Sequence, residues 1–245
     1  MKIGIYGLGR FGSFWASTLS RVADVQAYSR SSSAPEGVLF VSEENVCKSD
    51  LLFLCNSISS VGEVCDRIAP FLKEGMIVAD TCSVKVHPLE TMKKRLPASV
   101  QILGTHPMFG PDSGRNGVAG LPVALCPERI DDGSLKTVLD LFTSLGLRIE
   151  TLTAKDHDRE AAYSQGITHF IGRTLDLLNL EPSRISTTGY EDLLDIVQQT
   201  CNDKWQLFVD LQKFNPYTEE MRKKLHSSIE EMLVKLDSIE SIGEK

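Results

Sequence analysis

The first twelve residues, MKIGIYGLGRFG (1–12), govern how the rest of the chain is read. KIGIY is a short apolar run of strand character, and GLGRFG follows it directly. Gly7 permits a tight turn, Gly9 lets backbone approach a phosphate closely, and Gly12 lets the following helix pack against the strand. A helix that opens on such a turn attracts negative charge at its N-terminus. A lone GxGxxG is a weak signal, but here it lies between a strand and a helical pattern, the context the motif needs. The stretch predicts a cradle for the pyrophosphate of a dinucleotide, built from Gly7, Leu8, Gly9, Arg10, Phe11 and Gly12. The alternative is an ordinary glycine turn. No signal-peptide cleavage pattern is expected in this opening.

Beyond the cradle, short apolar runs predict strands at 2–6, 25–28, 51–54, 76–79, 101–103, 122–125 and 148–150. Helical patterns lie between them at 11–22, 60–72, 88–96 and 133–145. Runs as continuously apolar as LLFLC imply strands covered on both faces. Alternation of this kind predicts an α/β fold with a doubly wound, mostly parallel, Rossmann-like sheet. The pattern changes after residue 152. Thr153, with Asp156 three residues on, resembles a capping box that opens a long helix. Pro182 interrupts it, and 190–215 and 216–242 read as two more helices. Residues 1–152 therefore form a nucleotide-binding domain and 153–245 a smaller all-α domain. So few helices bury little surface alone, which predicts a homodimer through this part.

Composition narrows the function. The 245 residues are 42% hydrophobic, enough for a sizeable core. The net charge is −7 and no basic block occurs, which argues against nucleic acid or anionic membrane as a general partner. No apolar run reaches the ~18 residues of a membrane span. The six cysteines include no CxxC pair, so reduced thiols in a cytoplasmic protein are expected, and no metal centre.

The end of the second strand selects the nucleotide. NAD sites usually carry an acid there for the ribose 2′-hydroxyl. This chain reads Tyr28-Ser29-Arg30-Ser31-Ser32 instead. Arg30, with Ser29 and Ser31, suits a 2′-phosphate, so NADP is favoured over NAD. A solvated arginine in a serine-rich loop is the plain alternative. Cys55 and Asn56, at the end of the LLFL strand, complete the predicted cofactor set.

Three further stretches carry chemistry. DTCSVK (80–85) follows the fourth apolar run, and ligands of doubly wound sheets bind at the carboxyl ends of strands. Ser83 is thereby a candidate at the crevice, or else a helix N-cap. Lys85 is a substrate contact or the first turn of a helix. In THPMFGP (105–111), read as a loop after the next strand, Thr105 and His106 enter the same crevice. Histidine is the usual base for a hydroxyl proton near neutral pH, and Pro107 biases His106 toward extended backbone. In AAYSQGITHFIGR (161–173), Gln165, His169 and Arg173 share one helical face. That face is a solvated stripe or the polar lining of a substrate cleft.

Together these motifs resemble the prephenate/arogenate dehydrogenase family of tyrosine biosynthesis. GLGRFG, DTCSVK, GTHPMFGPDSG and HDREAAYSQGITHFIGR occur in the family's order, and the likeness spans nearly the whole chain. The run at 185–208 and the spelling THPMFGP look most like the plant-type arogenate dehydrogenases. The resemblance implies hydride transfer from a cyclohexadienol to the nicotinamide, proton loss to a histidine, and loss of CO2 that aromatises the ring. It implies that His106 is the base, that Ser83 hydrogen-bonds the same hydroxyl, and that His169 lies at the substrate. Many bacterial members hold the side-chain carboxylate with an arginine in the third helical stretch. None occurs between 185 and 208 here, so that contact is missing or supplied otherwise. Asp203 stands where the plant-type enzymes carry an acid that attracts the arogenate ammonium, which favours arogenate over prephenate. The length leaves no room for a fused regulatory domain.

Two other readings compete with this one. Another two-domain NADP enzyme, of the β-hydroxyacid dehydrogenase or imine reductase type, joins similar parts. The β-hydroxyacid enzymes rely on a helix lysine, and Lys155 is the only lysine between Lys136 and Lys204, without a glycine-rich signature around it. A non-catalytic NADP-sensing protein would have lost Ser83, His106 and His169, which are all present.

Overall fold

The computed structural model describes residues 1–31 and 33–240. Ser32 and the expected helix end at 242 lie outside the described residues. The chain divides into two compact units, Met1–Asp158 and a second from Arg159 onward.

The first unit is built on an eight-stranded sheet. Its strands are β1 (Lys2–Tyr6), β2 (Asp24–Tyr28), β3 (Leu39–Phe40), β4 (Leu51–Leu54), β5 (Ile77–Asp80), β6 (Gln101–Pro107), β7 (Pro122–Arg129) and β8 (Arg148–Thr151). They lie in the order β3-β2-β1-β4-β5-β6-β7-β8. Every pairing is parallel except β6 with β7. The helices are α1 (Arg10–Leu19), α2 (Glu43–Val46), α3 (Val61–Ile68), α4 (Val86–Arg95) and α5 (Asp132–Ser144), with α6 (Ala154–Ala161) beginning here. The doubly wound expectation holds. β4 and β5 are buried at every position, as strands covered on both faces must be. Trp15 of α1 anchors the core with rings of Phe53 and Phe142 at 5.8 and 5.9 Å. β3 and α2 escaped the sequence reading because two and four residues are too short to show a period.

One difference matters for function. THPMFGP was expected to be a loop, yet β6 continues through Pro107. Thr105, His106 and Pro107 pair with Leu125, Ala124 and Val123 of β7. Antiparallel pairing with β7 extends the strand, so His106 stands on the sheet with its ring 2% exposed.

In the second unit, α6 passes through a π-turn (Ala162–Gly166) into α7 (Ile167–Asp176). Three helices follow: α8 (Thr188–Cys201), α9 (Trp205–Phe214) and α10 (Thr218–Glu240). The expected helix at 190–215 is in fact two. Lys204 has an extended backbone (ψ 141°), and the Asp203 carbonyl accepts from Arg173 Nη2 at 2.6 Å instead of from the next turn. α7 and α8 approach so closely that a Cβ on Gly172 would lie 2.2 Å from Thr200 Oγ1. The capping box is present: Thr153 Oγ1 accepts from the Asp156 N–H at 3.1 Å and donates to Asp156 Oδ2 at 2.6 Å.

Candidate active site

The glycine turn has the geometry its sequence predicts. Gly7 has φ +102°, open to glycine at little cost, and a Cβ on Gly12 would lie 1.9 Å from the Gly7 carbonyl oxygen. A Cβ on Gly9 would meet nothing within 4 Å, so this is the face that a phosphate can approach. Gly9 is also the N-cap of α1 and supplies no side chain to its first N–H groups, which suits an anion. The turn is tied down by Gly7 N–H to Tyr28 O and Cys55 N–H to Tyr6 O, both 2.8 Å. It therefore stands at the carboxyl ends of β1, β2 and β4, where the strand order reverses.

The other predicted cofactor residues take distinct places. Leu8 is buried and Phe11 packs against the core, so both support the turn by packing. The Arg10 guanidinium grips the Asp112 carboxylate at 2.5 and 2.6 Å. Ser29 Oγ accepts from the Ser31 N–H at 3.4 Å, and Arg30 is 67% exposed with Glu63 at 3.8 Å. Asn56 Nδ2 donates to Ser57 O and Ser60 Oγ at 2.9 and 3.0 Å. Its Oδ1 is buried without a hydrogen-bond partner among the described residues, an acceptor suited to a ligand donor. Burial pushes the Cys55 thiol up to about 12, so it is a neutral lining group. The cradle fits a dinucleotide.

Next to it, buried polar groups form a continuous network. Lys85 precedes α4, and its side chain is fully buried. Its ammonium pairs with Asp80 Oδ1 and donates to the Thr105 carbonyl at 2.6 Å. Thr105 Oγ1 donates back to the Asp80 carbonyl at 2.6 Å. Burial pushes the Asp80 carboxyl up, and the Lys85 charge opposes that. Lys85 and Thr105, both predicted substrate contacts, are thus occupied in joining β5, β6 and the start of α4. Ser83 is half-buried in the turn before α4, but does not cap it. That role falls to Asp158, whose Oδ1 and Oδ2 accept from the Lys85 and Val86 N–H groups at 2.6 and 2.9 Å.

Asp158 does more. The sequence reading gave no role to it or to His157. His157 Nδ1 lies 2.9 Å from Asp158 Oδ1, and His157 Nε2 lies 2.9 Å from His106 Nδ1. Both rings are buried. The pair is visible in the sequence only as an acid following a histidine in HDRE; nothing in the spacing brings it to position 106. Asp158 also explains why the first unit runs past residue 152: its carboxylate caps α4.

In the second unit, α7 and the turn before it carry Gln165, His169 and Arg173. Gln165 Oε1, His169 Nδ1 and Arg173 Nε are buried without hydrogen-bond partners among the described residues. The Arg173 guanidinium stacks over Trp205 and Phe208 at 5.5 and 6.0 Å from their ring centres. Burial holds the His169 imidazole below its usual range; Asp203 opposes that shift and Arg173 adds to it. His169, Arg173 and Asp203 are therefore one group of neighbours. The π-turn at Gln165 is a local irregularity of the kind found at functional sites.

A glycine-turn cradle on a doubly wound sheet, in the unit that also holds the buried histidine network, defines a class first: a dinucleotide-binding domain followed by a helical extension. Residues 22–151 match the family described as prephenate dehydrogenase, nucleotide-binding domain, and 174–242 match the TYRAAT1-like C-terminal domain. The chain belongs to the prephenate/arogenate dehydrogenase family. Over 96% of its length it is 37% identical to arogenate dehydrogenase 1, chloroplastic, of Arabidopsis thaliana. Over 94% it is 36% identical to arogenate dehydrogenase 2, chloroplastic, of the same plant. It spans 39% of the first relative and 68% of the second. The crystal structure of Synechocystis arogenate dehydrogenase shares the fold, with a TM-score of 0.73 at 21% identity, covering 98% of this chain and 93% of that one.

Proposed function

We propose that the protein catalyses the NADP-dependent oxidative decarboxylation of arogenate to tyrosine, with prephenate to 4-hydroxyphenylpyruvate as the related reaction. The observation that carries this is His106, held on β6 by a second histidine in the unit that bears the cradle. Family membership supports the reaction type. A nicotinamide dinucleotide held by the Gly7–Gly12 turn would supply the hydride acceptor for the carbinol carbon. His106 takes the proton of the same hydroxyl, and Ser83 hydrogen-bonds that oxygen. The C–C bond to the ring carboxylate then breaks, CO2 leaves, and the electron pair of that bond aromatises the ring as a phenolate, which takes the proton back from His106. Network residues Asp80, Lys85 and Thr105 hold β6 and the α4 turn in register, which keeps His106 in place.

Substrate contacts are proposed for Gln165, His169, Arg173 and Asp203. Arg173 takes the side-chain carboxylate in place of the arginine missing from 185–208, since its Nε has no partner among the described residues. Asp203 attracts the arogenate ammonium. NADP is chosen by Arg30 with Ser29 and Ser31. The compartment is proposed to be reducing, the cytoplasm in the simplest case, because all six cysteines are free.

A homodimer is proposed through the second unit. Ile229, Met232, Leu233 and Leu236 of α10 follow helical spacing and are each more than half exposed, a stripe suited to a second copy. Leu233→Glu should then convert the dimer to a monomer on a sizing column with light scattering.

The deciding experiment is an assay of the purified protein with each substrate and each nucleotide, followed at the reduced-nicotinamide absorbance. Reduction fastest with arogenate and NADP is expected; no reduction in any of the four combinations overturns the proposal. Arg30→Ala should weaken NADP by ~10-fold or more while leaving NAD nearly unchanged, the loss of one charge-assisted contact.

A further inference from the structure

We infer that His157, held by Asp158, is a positioning residue that fixes the tautomer of His106 and stabilises the charge His106 gains with the proton it takes up. The inference rests on the reading of His106 as the base. The hydrogen-bond chain runs Asp158 Oδ1, His157 Nδ1, His157 Nε2, His106 Nδ1, with 2.9 Å at each of the two ring contacts.

The polarity of this chain follows from its acid end. An ionised carboxylate only accepts hydrogen bonds. Both Asp158 oxygens act as acceptors: Oδ1 accepts from the Lys85 N–H and Oδ2 from the Val86 N–H at the start of the ten-residue helix α4, and Oδ1 also faces the His157 ring. His157 Nδ1 must then carry the hydrogen. In neutral His157 that makes Nε2 an acceptor, which requires His106 to donate from Nδ1. In neutral His106 the lone pair is therefore on Nε2. Without a partner at Nδ1 nothing would prevent the other tautomer, in which Nε2 carries a hydrogen and is no base.

Proton balance is equally direct. As the substrate O–H bond breaks, an N–H bond forms at His106 Nε2. The ring becomes cationic, 2% exposed in the protein. Its Nδ1–H remains on His157 Nε2, and the His157 Nδ1–H remains on the Asp158 carboxylate, so the new charge faces an acceptor chain that ends in an anion. Lys85 does not compete as that anion's partner through its ammonium, which is on Asp80 and the Thr105 carbonyl. Its backbone N–H is the group that reaches Asp158.

Two measurements test this. Long-range proton–nitrogen NMR spectra of the labelled protein report which ring nitrogen carries the hydrogen, and with five histidines the assignment by single substitution is short. The expected result is Nδ1–H for both His106 and His157 at neutral pH. His106 as the Nε2–H form, or a His106 spectrum unchanged by His157→Leu, overturns the inference whether or not the protein is an active dehydrogenase. Steady-state kinetics give the second test. His157→Leu should lower kcat ~10²-fold, the reach of a well-placed base, with KM changed by under ~3-fold. His157→Gln places a carboxamide oxygen where Nε2 lies and should recover ~10-fold of that loss by restoring the tautomer without the charge stabilisation. Equal losses in both variants, or an effect on KM alone, overturn it. If His157→Leu fails to fold, the wild-type tautomer still decides. If no combination of substrate and nucleotide is turned over, the proposed reaction fails while the tautomer result stands.

Discussion

The two units treat their buried polar groups in opposite ways. In the first, Asp80, Lys85, Thr105, His106, His157 and Asp158 are joined into one network that links the ends of β5 and β6 to the start of α4 and to α6. In the second, Gln165, His169 and Arg173 each keep a buried polar atom with no partner among the described residues. Buried polar groups without partners destabilise a fold, so a cluster of three on one helical segment marks a surface that meets something else. In the network, by contrast, Asp80 Oδ2 is the one buried side-chain atom without a hydrogen-bond partner among the described residues. On the proposed reading, the first arrangement orients the base in advance and the second receives the substrate.

Breaking the network at its ion pair should have the largest effect. Lys85→Met leaves the Asp80 carboxylate buried without its counter-charge and should cost about 3–5 kcal/mol of stability, read from the denaturant midpoint. A shift below about 1 kcal/mol would mean that the pair does not support this part of the sheet. His106→Asn should come next, lowering kcat by ~10²-fold or more with melting behaviour close to wild type. Unchanged kcat would remove His106 from the role of base.

On the other side of the comparison, changes should alter recognition more than stability. Asp203→Asn should move the ratio of kcat/KM for arogenate over prephenate by ~10-fold toward prephenate, the worth of one charged contact. Its effect on stability should stay within about 0.5 kcal/mol. An unaltered ratio would refute the ammonium contact. The smallest effect concerns His169. Because burial lowers its pKa below the 6.5 of the unfolded chain, the unfolded state binds more protons between the folded value and 6.5. Stability should thus fall as pH is lowered through that window, by no more than ~1.4 kcal/mol per pH unit, the slope for one proton. Denaturant midpoints against pH for wild type and His169→Gln check this; identical curves would show that His169 is not held neutral by the fold.

The same contrast explains what was legible in advance. The glycine turn, the apolar strands and the helical face at 165–173 are local: each is written in a dozen residues with a period or a fixed spacing. His106 was recognisable as a candidate base from its neighbours, although it was placed on a loop. The strand there depends on β7, whose antiparallel approach no short window contains. The break at Asn202–Lys204 was hidden for a similar reason, since the Asp203 carbonyl is bound by an arginine 30 residues away.

Sequence alone determined the alternation of strand and helix, the cradle at 7–12 and the family to which the chain belongs, because these follow from apolar periodicity, from the backbone freedom of glycine and from motif order. Tertiary structure decided which polar residues are partners. Lys85 became the buried counter-ion of Asp80. Asp158 became the cap of a helix 72 residues earlier in the chain, measured to Val86. His157 was brought against His106 across 51 residues. Hydrogen bonds form between groups a few ångströms apart, and sequence separation does not set that distance; here the sheet order and the packing of α6 do.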